Sequence, residues 1–580
     1  QVAVGTSLLP LALISLLVGL CAVVGLARQW LHRRGPEVRL LWTRGVSPAA
    51  LGAKAVLELA GPLVAGTVAG LLVARATVPA LAPAGELDGW ASPAAAVAAG
   101  LALLASLAVL GVATTVVVRR AFQRSRPSRV VRSLRWVPWE LAVAALAVLS
   151  WRRLTGGALV VDYTQPGGVL PRVDVLALLF PLLCLAVLLG VTVRLTGLAL
   201  RFGHRLRGWR VPALLWAARR SAAQARLSVA LIAVGGLAIG VIAVGIGLAG
   251  TQRQAVQDKG RMFLGSDAAV QLFESISDDT RVPDALRGEA TMVAVRGGDI
   301  TGNKAGRILV VDPATLADGM PWRQEWTGRR LADLVGRLGP PDGEGRVPVI
   351  QVGPWAPEEF LFDGAPPMRV VATVPTFPGR EHATGMLVMS WDGFAAGDRR
   401  GFTRYVWTVG DPGRAVAELG RSGESASRYY TAAGATDALP FLVVAWTFDF
   451  FVTLGLVLAA IAAATLLVTV EARRRASALA TGLLRRMGLK PGALFASHVA
   501  ELAALTAVAI GAGILGAWSV LAVASHHFDP FPRLRPSPIA ASLLPLGLSV
   551  SLAGSMVVLV VAVIAVRSAL RTPVRELLRG

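Results

Sequence analysis

The sequence predicts a polytopic α-helical membrane protein, with about nine transmembrane helices in two parallel repeats and a mixed α/β domain outside the membrane. Three observations carry this. Of the 580 residues, 54% are hydrophobic and 16% charged, where soluble domains carry about 25% charged residues. Apolar runs exceed the roughly 18 residues that mark a spanning helix. Charge is divided unevenly: residues 251–440 hold 21 basic and 24 acidic side chains, leaving 37 and 12 for the rest of the chain. Positive charge collected in loops between apolar runs is an orientation signal. The net charge of +22 is therefore no nucleic-acid footprint, and the composition excludes a soluble enzyme.

In chain order, the apolar runs are 8–27, 55–77, 94–118, 136–151, 173–200, 227–250, 441–470, 499–524 and 541–566. The fourth is short and broken by Pro138 and Glu140, though Trp136, Trp139 and Trp151 suit interfacial anchors. Arginines cluster after the odd-numbered runs, in 119–135, 201–226, 473–490 and 567–579, whereas 78–91 has no basic residue. Lys and Arg accumulate on the cytoplasmic side, which puts those loops and the C-terminus in the cytoplasm and residues 251–440 outside. Lysine occurs only at Lys54, Lys259, Lys304 and Lys490 while Arg, Ala, Gly and Leu abound. That bias points to a GC-rich bacterium and hence to its cytoplasmic (plasma) membrane. An outside N-terminus at Gln1, without a basic n-region, predicts that the native chain begins further upstream. Cys21 and Cys184 lie in apolar runs and make no metal site.

An internal repeat is legible at one offset. Leu40-Leu41-Trp42-Thr43-Arg44-Gly45-Val46-Ser47-Pro48 aligns with Leu483-Leu484-Arg485-Arg486-Met487-Gly488-Leu489-Lys490-Pro491, and Glu58 with Glu501, all 443 residues apart. Pro127-Ser128-Arg129 resembles Pro573-Val574-Arg575 more loosely. Both units run in the same direction, unlike the inverted repeats of many secondary transporters.

This duplicated segment resembles the FtsX-like permease family, the membrane subunits of MacB-type ABC systems. The resemblance implies a first repeat in 1–135 without its leading helix and ectodomain, and connecting helices in 136–200. It also implies a leading helix in 201–250, a MacB-like extracytoplasmic domain in 251–440, and the rest of the second repeat in 441–580. It further implies a cytoplasmic ABC ATPase dimer as partner, with ATP and Mg held there and no cofactor in this chain. Leu40, Leu41, Arg44, Gly45 and Pro48, with Leu483, Leu484, Arg485, Arg486, Gly488 and Pro491, become the ATPase-coupling residues. None of the four lysines stands in the Gly-Lys-Ser/Thr setting of a phosphate-binding loop, so the chain itself is expected to be no enzyme. The alternative is a non-transporting membrane sensor, or a regulator of a cell-wall enzyme or an antimicrobial-peptide response. An extracytoplasmic substrate or protein partner is left open.

The same two segments are basic and amphipathic, and an interfacial helix on anionic lipid is the plainer account of them. The repeated Gly-x-x-Pro turn favours docking on a protein instead. Glu58 and Glu501 are read in the first turns of their helices, where the dipole favours a carboxylate, with Lys54 one turn before Glu58. Asp449 is a third intramembrane candidate, about nine residues from the outer end of its run. His526, His527 and Asp529 read as a charged turn rather than a metal site. Gly66, Gly70, Gly511, Gly513 and Gly516 read as surfaces for close helix packing. In 251–440, strands are expected at 268–272, 307–311, 348–352, 369–374 and 385–389, and helices at 327–338 and 413–420.

Overall fold

The computed structural model describes residues 16, 19–20, 23–27, 30–31, 34–81, 89, 91–122, 139–156, 175–203, 212–223, 225–273, 282–300, 304–353, 360–361, 367–379, 385–393, 401–432, 449–461, 463, 491–529 and 536–571. The chain divides into two units. One comprises 1–243, 451–518 and 543–580, the other 244–450 and 519–542.

Helices dominate the first unit and enter the second. They are α1 (Gly35–Thr43), α2 (Pro48–Leu81), α3 (Ala91–Phe122), α4 (Trp139–Thr155), α5 (Phe180–Gly203), α6 (Pro212–Ala223) and α7 (Ala225–Leu264), followed after the sheet by α9 (Asp449–Ile461), α10 (Pro491–Ala524) and α11 (Leu544–Arg571). Among the described residues, five stretches are long and apolar enough to cross a membrane: Pro48–Ala76, Ala91–Phe122, Phe180–Phe202, Ser228–Leu264 and Phe495–Phe528. Asp449–Ile461 and Leu544–Val560 are shorter apolar helices. The chain is thus a membrane protein with a separate sheet domain. Five long spans, not nine, stand among the described residues. Most of the first apolar run, 8–27, lies outside them, and α4, at 17 residues, is shorter than a full crossing.

Contacts within each unit fix the helix directions. Glu140 and Arg194 meet at one end of α4 and α5, and Ser150 Oγ donates to the Leu176 carbonyl near the other, so the two are antiparallel. Leu185 and Leu189 of α5 lie over Gly240 and Gly236 of α7, again antiparallel. Gly513 of α10 meets the Gly236 carbonyl and Gly240 amide of α7, and Gly247 faces Leu521, so α7 and α10 run parallel. Gly455 of α9 packs on Ile242 of α7. Gly554 of α11 packs on Thr506 and Ile510 of α10.

The sheet belongs to the second unit. Its strands are β1 (Ala268–Leu272), β2 (Ala290–Ile300), β3 (Lys304–Val311), β4 (Val347–Val352), β5 (Phe360–Leu361), β6 (Met368–Val374), β7 (Gly385–Ser390), β8 (Thr403–Thr408) and β9 (Ala426–Thr431). The order is β6-β4-β7-β3-β2-β8-β1-β9, with β5 on β2. The β3–β7 and β4–β6 pairs are parallel and the rest antiparallel. Successive residues of β3 and β7 enter opposite cores: Leu309, Val311, Met386 and Val388 on one face, Ile308, Val310, Leu387 and Met389 on the other. A strand buried on both faces must be apolar throughout, which is why these two were legible in the sequence. Helix α8 (Pro412–Arg421) covers Val270, Leu272 and Val406 through Ala415 and Leu419. It begins at an Asp411 side chain that accepts from the Gly413 amide, with Pro412 in the first helical position. The expected helix 327–338 is cut down to Leu331–Val335.

One turn of the sheet unit has a testable acid response. The Asp342 carboxylate accepts from the backbone amides of Arg346 and Glu344 and from Arg346 Nε. The Arg346 amide leads these bonds in holding the Asp342 carboxyl below its ordinary value, against the opposing effect of burial. A depressed folded value means stability that is present above the unfolded carboxylate value, about 3.9, and lost as pH falls through the lowered folded one. Asp342→Asn is expected to lower thermal stability at neutral pH, to flatten its acid limb below about pH 4, and to approach the parent protein in acid. An unchanged acid limb would refute the assignment.

Candidate functional site

The strongest sequence motif resolves first into helix-end chemistry. Helix α1 stops at Gly45, whose φ of 87° is the left-handed conformation glycine tolerates. The Val46 amide donates to the Leu41 carbonyl and the Gly45 amide to Trp42, the paired bonds of a Schellman stop. Ser47 Oγ then accepts from the Ala50 amide at 3.2 Å, and Pro48 opens α2. Glycine, serine and proline here end one helix and start the next. The turn therefore needs no docking partner to explain it, contrary to the argument from the sequence.

That turn lays α1 across the ends of α2 and α3. Val38 is buried with Trp30, Leu51, Ala55 and Val118, and Leu41 and Trp42 pack against this cluster. The Trp42 and Phe122 rings stack at 5.8 Å. Leu41 is thus a support of α1, not an outward anchor. Leu40, 51% exposed, and exposed Arg39, Thr43 and Arg44 form the outward face.

A charged cluster pins the inner edge. Glu37 bonds Lys54 and Arg34. The Lys54 hydrogen bond leads, and with Arg34 it holds the Glu37 carboxyl below its ordinary value. Glu58 accepts from Trp30 Nε1 at 2.8 Å and faces Arg34 at 3.6 Å and Lys54 at 3.8 Å. The expected Lys54–Glu58 pair is present as the longest of these contacts. Because α2 begins at Pro48, Glu58 lies well past the first turn. The same holds for Glu501 in α10. Side-chain partners, rather than the helix dipole, account for both carboxylates. Glu501 faces Arg220 of α6 at 3.4 Å, and Arg220 Nη1 also lies 2.8 Å from His498 Nδ1. Leu483, Leu484, Arg485, Arg486 and Gly488 lie outside the described residues. Pro491 is the first residue of α10.

Asp449 is not isolated in the apolar run. Arg253 Nη2 donates to it at 2.8 Å, and both side chains are more than a third exposed. Helix α7 continues past the apolar run to Leu264, which supplies that arginine. Asp529 likewise finds a partner that sequence reading missed, in Lys259. Both side chains are 4% exposed, and Nζ lies 2.5 Å from each carboxylate oxygen. Among the described residues no cluster of His, Cys, Asp and Glu is able to hold a metal ion. A third missed pair is Glu140–Arg194, a two-pronged bond of 2.7 and 2.6 Å.

Of the glycines read as packing surfaces, Gly513 and Gly516 meet other helices, whereas a Cβ at Gly66, Gly70 or Gly511 would find nothing within 4 Å. Close approach falls also on Gly52 against Gly111 and Thr115, and on Gly236 and Gly240. No protein-family model matches the chain, and no curated protein sequence matches it.

Proposed function

We propose that the chain is the membrane (permease) subunit of an ABC transporter of the MacB/FtsX type. It couples ATP hydrolysis by a separate cytoplasmic ATPase to export, extraction or mechanotransmission across a bacterial plasma membrane. One observation carries the reading. Helices α2 and α10 are each 34 residues long and start at Pro48 and Pro491, the same 443-residue offset that relates the sequence repeat. At that offset Gly66 and Gly70 correspond to Ala509 and Gly513, the small face with which α10 meets α7. In the two-repeat reading, the open Gly66–Gly70 face of α2 is where a helix equivalent to α7 packs. The parallel course of α7 and α10, the first and third spans of the second repeat, fits that repeat's four-span order.

Energy then enters where α1 presents Leu40 and Arg44, supported from beneath by Leu41, Trp42 and the Glu37–Lys54 contact. A buried interface anchor is often worth about 2 kcal/mol or more. Leu40→Asp is expected to weaken ATPase co-purification about 30-fold, and to lower stimulated hydrolysis in nanodiscs, with thermal stability kept. Arg44→Glu should act less and mainly at low salt, as rim charges do. Leu41→Asp is a poor test, because it also unseats α1. Wild-type association and turnover in Leu40→Asp would mean that α1 lies on lipid, and the coupling assignment would fall.

A further inference from the structure

The sheet unit holds a cavity of about 250 Å³ that none of the assignments above uses. It opens beside the last turn of α7, and four aromatic side chains line it: Phe263, Tyr405, Trp407 and Tyr430. Phe263 and Tyr430 are 40% and 42% exposed and form the mouth. Trp407, 2% exposed, forms the floor.

The floor is set rigidly by two glycines. A Cβ added at Gly265 would lie 2.0 Å from Trp407 Cζ2, and one at Gly379 2.9 Å from its Cη2. Both have positive φ, 98° and 87°. The chain thus adopts left-handed turns there and leaves the indole room. The Gly379 amide donates to the Met262 carbonyl at 2.8 Å, which ties this loop to the end of α7. The Gly379 carbonyl in turn accepts from Arg307 Nη1 at 2.9 Å, which fixes the guanidinium at the cavity wall. Among the described residues no acidic side chain lines the cavity.

Aromatic walls favour a flat apolar body, through offset or edge-to-face ring contacts. A planar guanidinium held in place matches a carboxylate and repels a cation. The volume lies below the roughly 300 Å³ at which drug-sized ligand sites begin, so the occupant is small. We propose that this cavity binds a small planar aromatic carboxylate, with its ring against Trp407 and Tyr430 and its carboxylate on Arg307. Bound there, the ligand would touch Phe263 and Leu264 of α7 together with β1, β2, β3, β8 and β9 of the sheet. The inference rests on the sheet unit alone and does not depend on the ATPase assignment.

The test uses the full chain in lipid nanodiscs and equilibrium dialysis of labelled indole-3-acetate against empty nanodiscs. Indole serves as the uncharged probe and decanoate as the flexible acid. Saturable binding of indole-3-acetate, tighter than that of either comparison probe, is the expected result. Arg307→Gln, which retains a donor toward Gly379, should weaken it about tenfold while leaving indole unchanged. Tyr430→Ala, at the exposed mouth, should weaken both aromatic probes with thermal unfolding unaltered. The proposal is overturned by no saturable binding up to about 1 mM, by indole or decanoate binding as tightly, or by indifference to both variants.

Discussion

Gly513→Leu is expected to part α7 from α10 and to destabilise the helical unit strongly. A Cβ at Gly513 would stand 2.8 Å from the Gly236 carbonyl oxygen and 3.0 Å from the Gly240 amide nitrogen. Backbone cannot swing aside as a side chain can, so the strain goes into separating two helices. Overpacking costs about 1–3 kcal/mol in ordinary cores, and a backbone wall puts this case at the upper end. Membrane helices gain little from apolar burial against one another and depend on close approach, so the lost contact is not recovered elsewhere. Gly511→Leu is the internal control, since a Cβ there meets nothing within 4 Å. Its effect should stay within about 0.5 kcal/mol. Thermal unfolding of both variants in the same detergent makes the comparison, and equal melting of the two would refute the seam.

The second large effect is expected at Lys259 and Asp529. The pair is buried on both sides, and removing the carboxylate takes its balancing charge from a buried ammonium. Such breaks cost about 3–5 kcal/mol. Asp529→Ala should therefore destabilise the second unit by that amount. The double variant Lys259→Met with Asp529→Leu should recover most of it, because an apolar pair of similar volume avoids the desolvation penalty. Denaturant unfolding, followed by hydrogen exchange in β1 and the end of α7, measures the difference. A double variant no better than Asp529→Ala would show that the lysine is not what makes the single change costly.

Much of the fold was legible because its signals are local. The apolar runs 55–77, 94–118, 227–250 and 499–524 each lie within one of the five long apolar helices to within a residue, 173–200 overlaps another from Phe180 on, and run length is a property of the sequence. Strand β1 was expected at 268–272 and is found there; β4, β6 and β7 differ by a residue, and β3 begins earlier. Strands β2, β8 and β9, and the two-residue β5, escaped notice. In β2 the apolar stretch ends in Gly297-Gly298-Asp299, β8 opens on Thr403-Arg404, and β9 is a polar edge strand reading Ala426-Ser427-Arg428-Tyr429-Tyr430-Thr431. Alternation is weak in all three, and their pairing in the sheet outweighs propensity.

The sequence alone determined which stretches are apolar enough for a membrane, where the most apolar strands lie, and how Gly45, Ser47 and Pro48 end one helix and begin the next. Each of these depends on residues within a turn or two. Only the tertiary structure decided which side chains meet. Glu140 finds Arg194 54 positions away, Lys259 finds Asp529 270 away, and Glu501 finds Arg220 281 away. It also decided that Leu41 faces inward while Leu40 faces out, and that Gly513 touches a neighbour where Gly511 does not. Periodicity carries the face of a helix but not the identity of what packs on it. A carboxylate in an apolar stretch must find a cation because stranding it is costly, yet nothing local says which one.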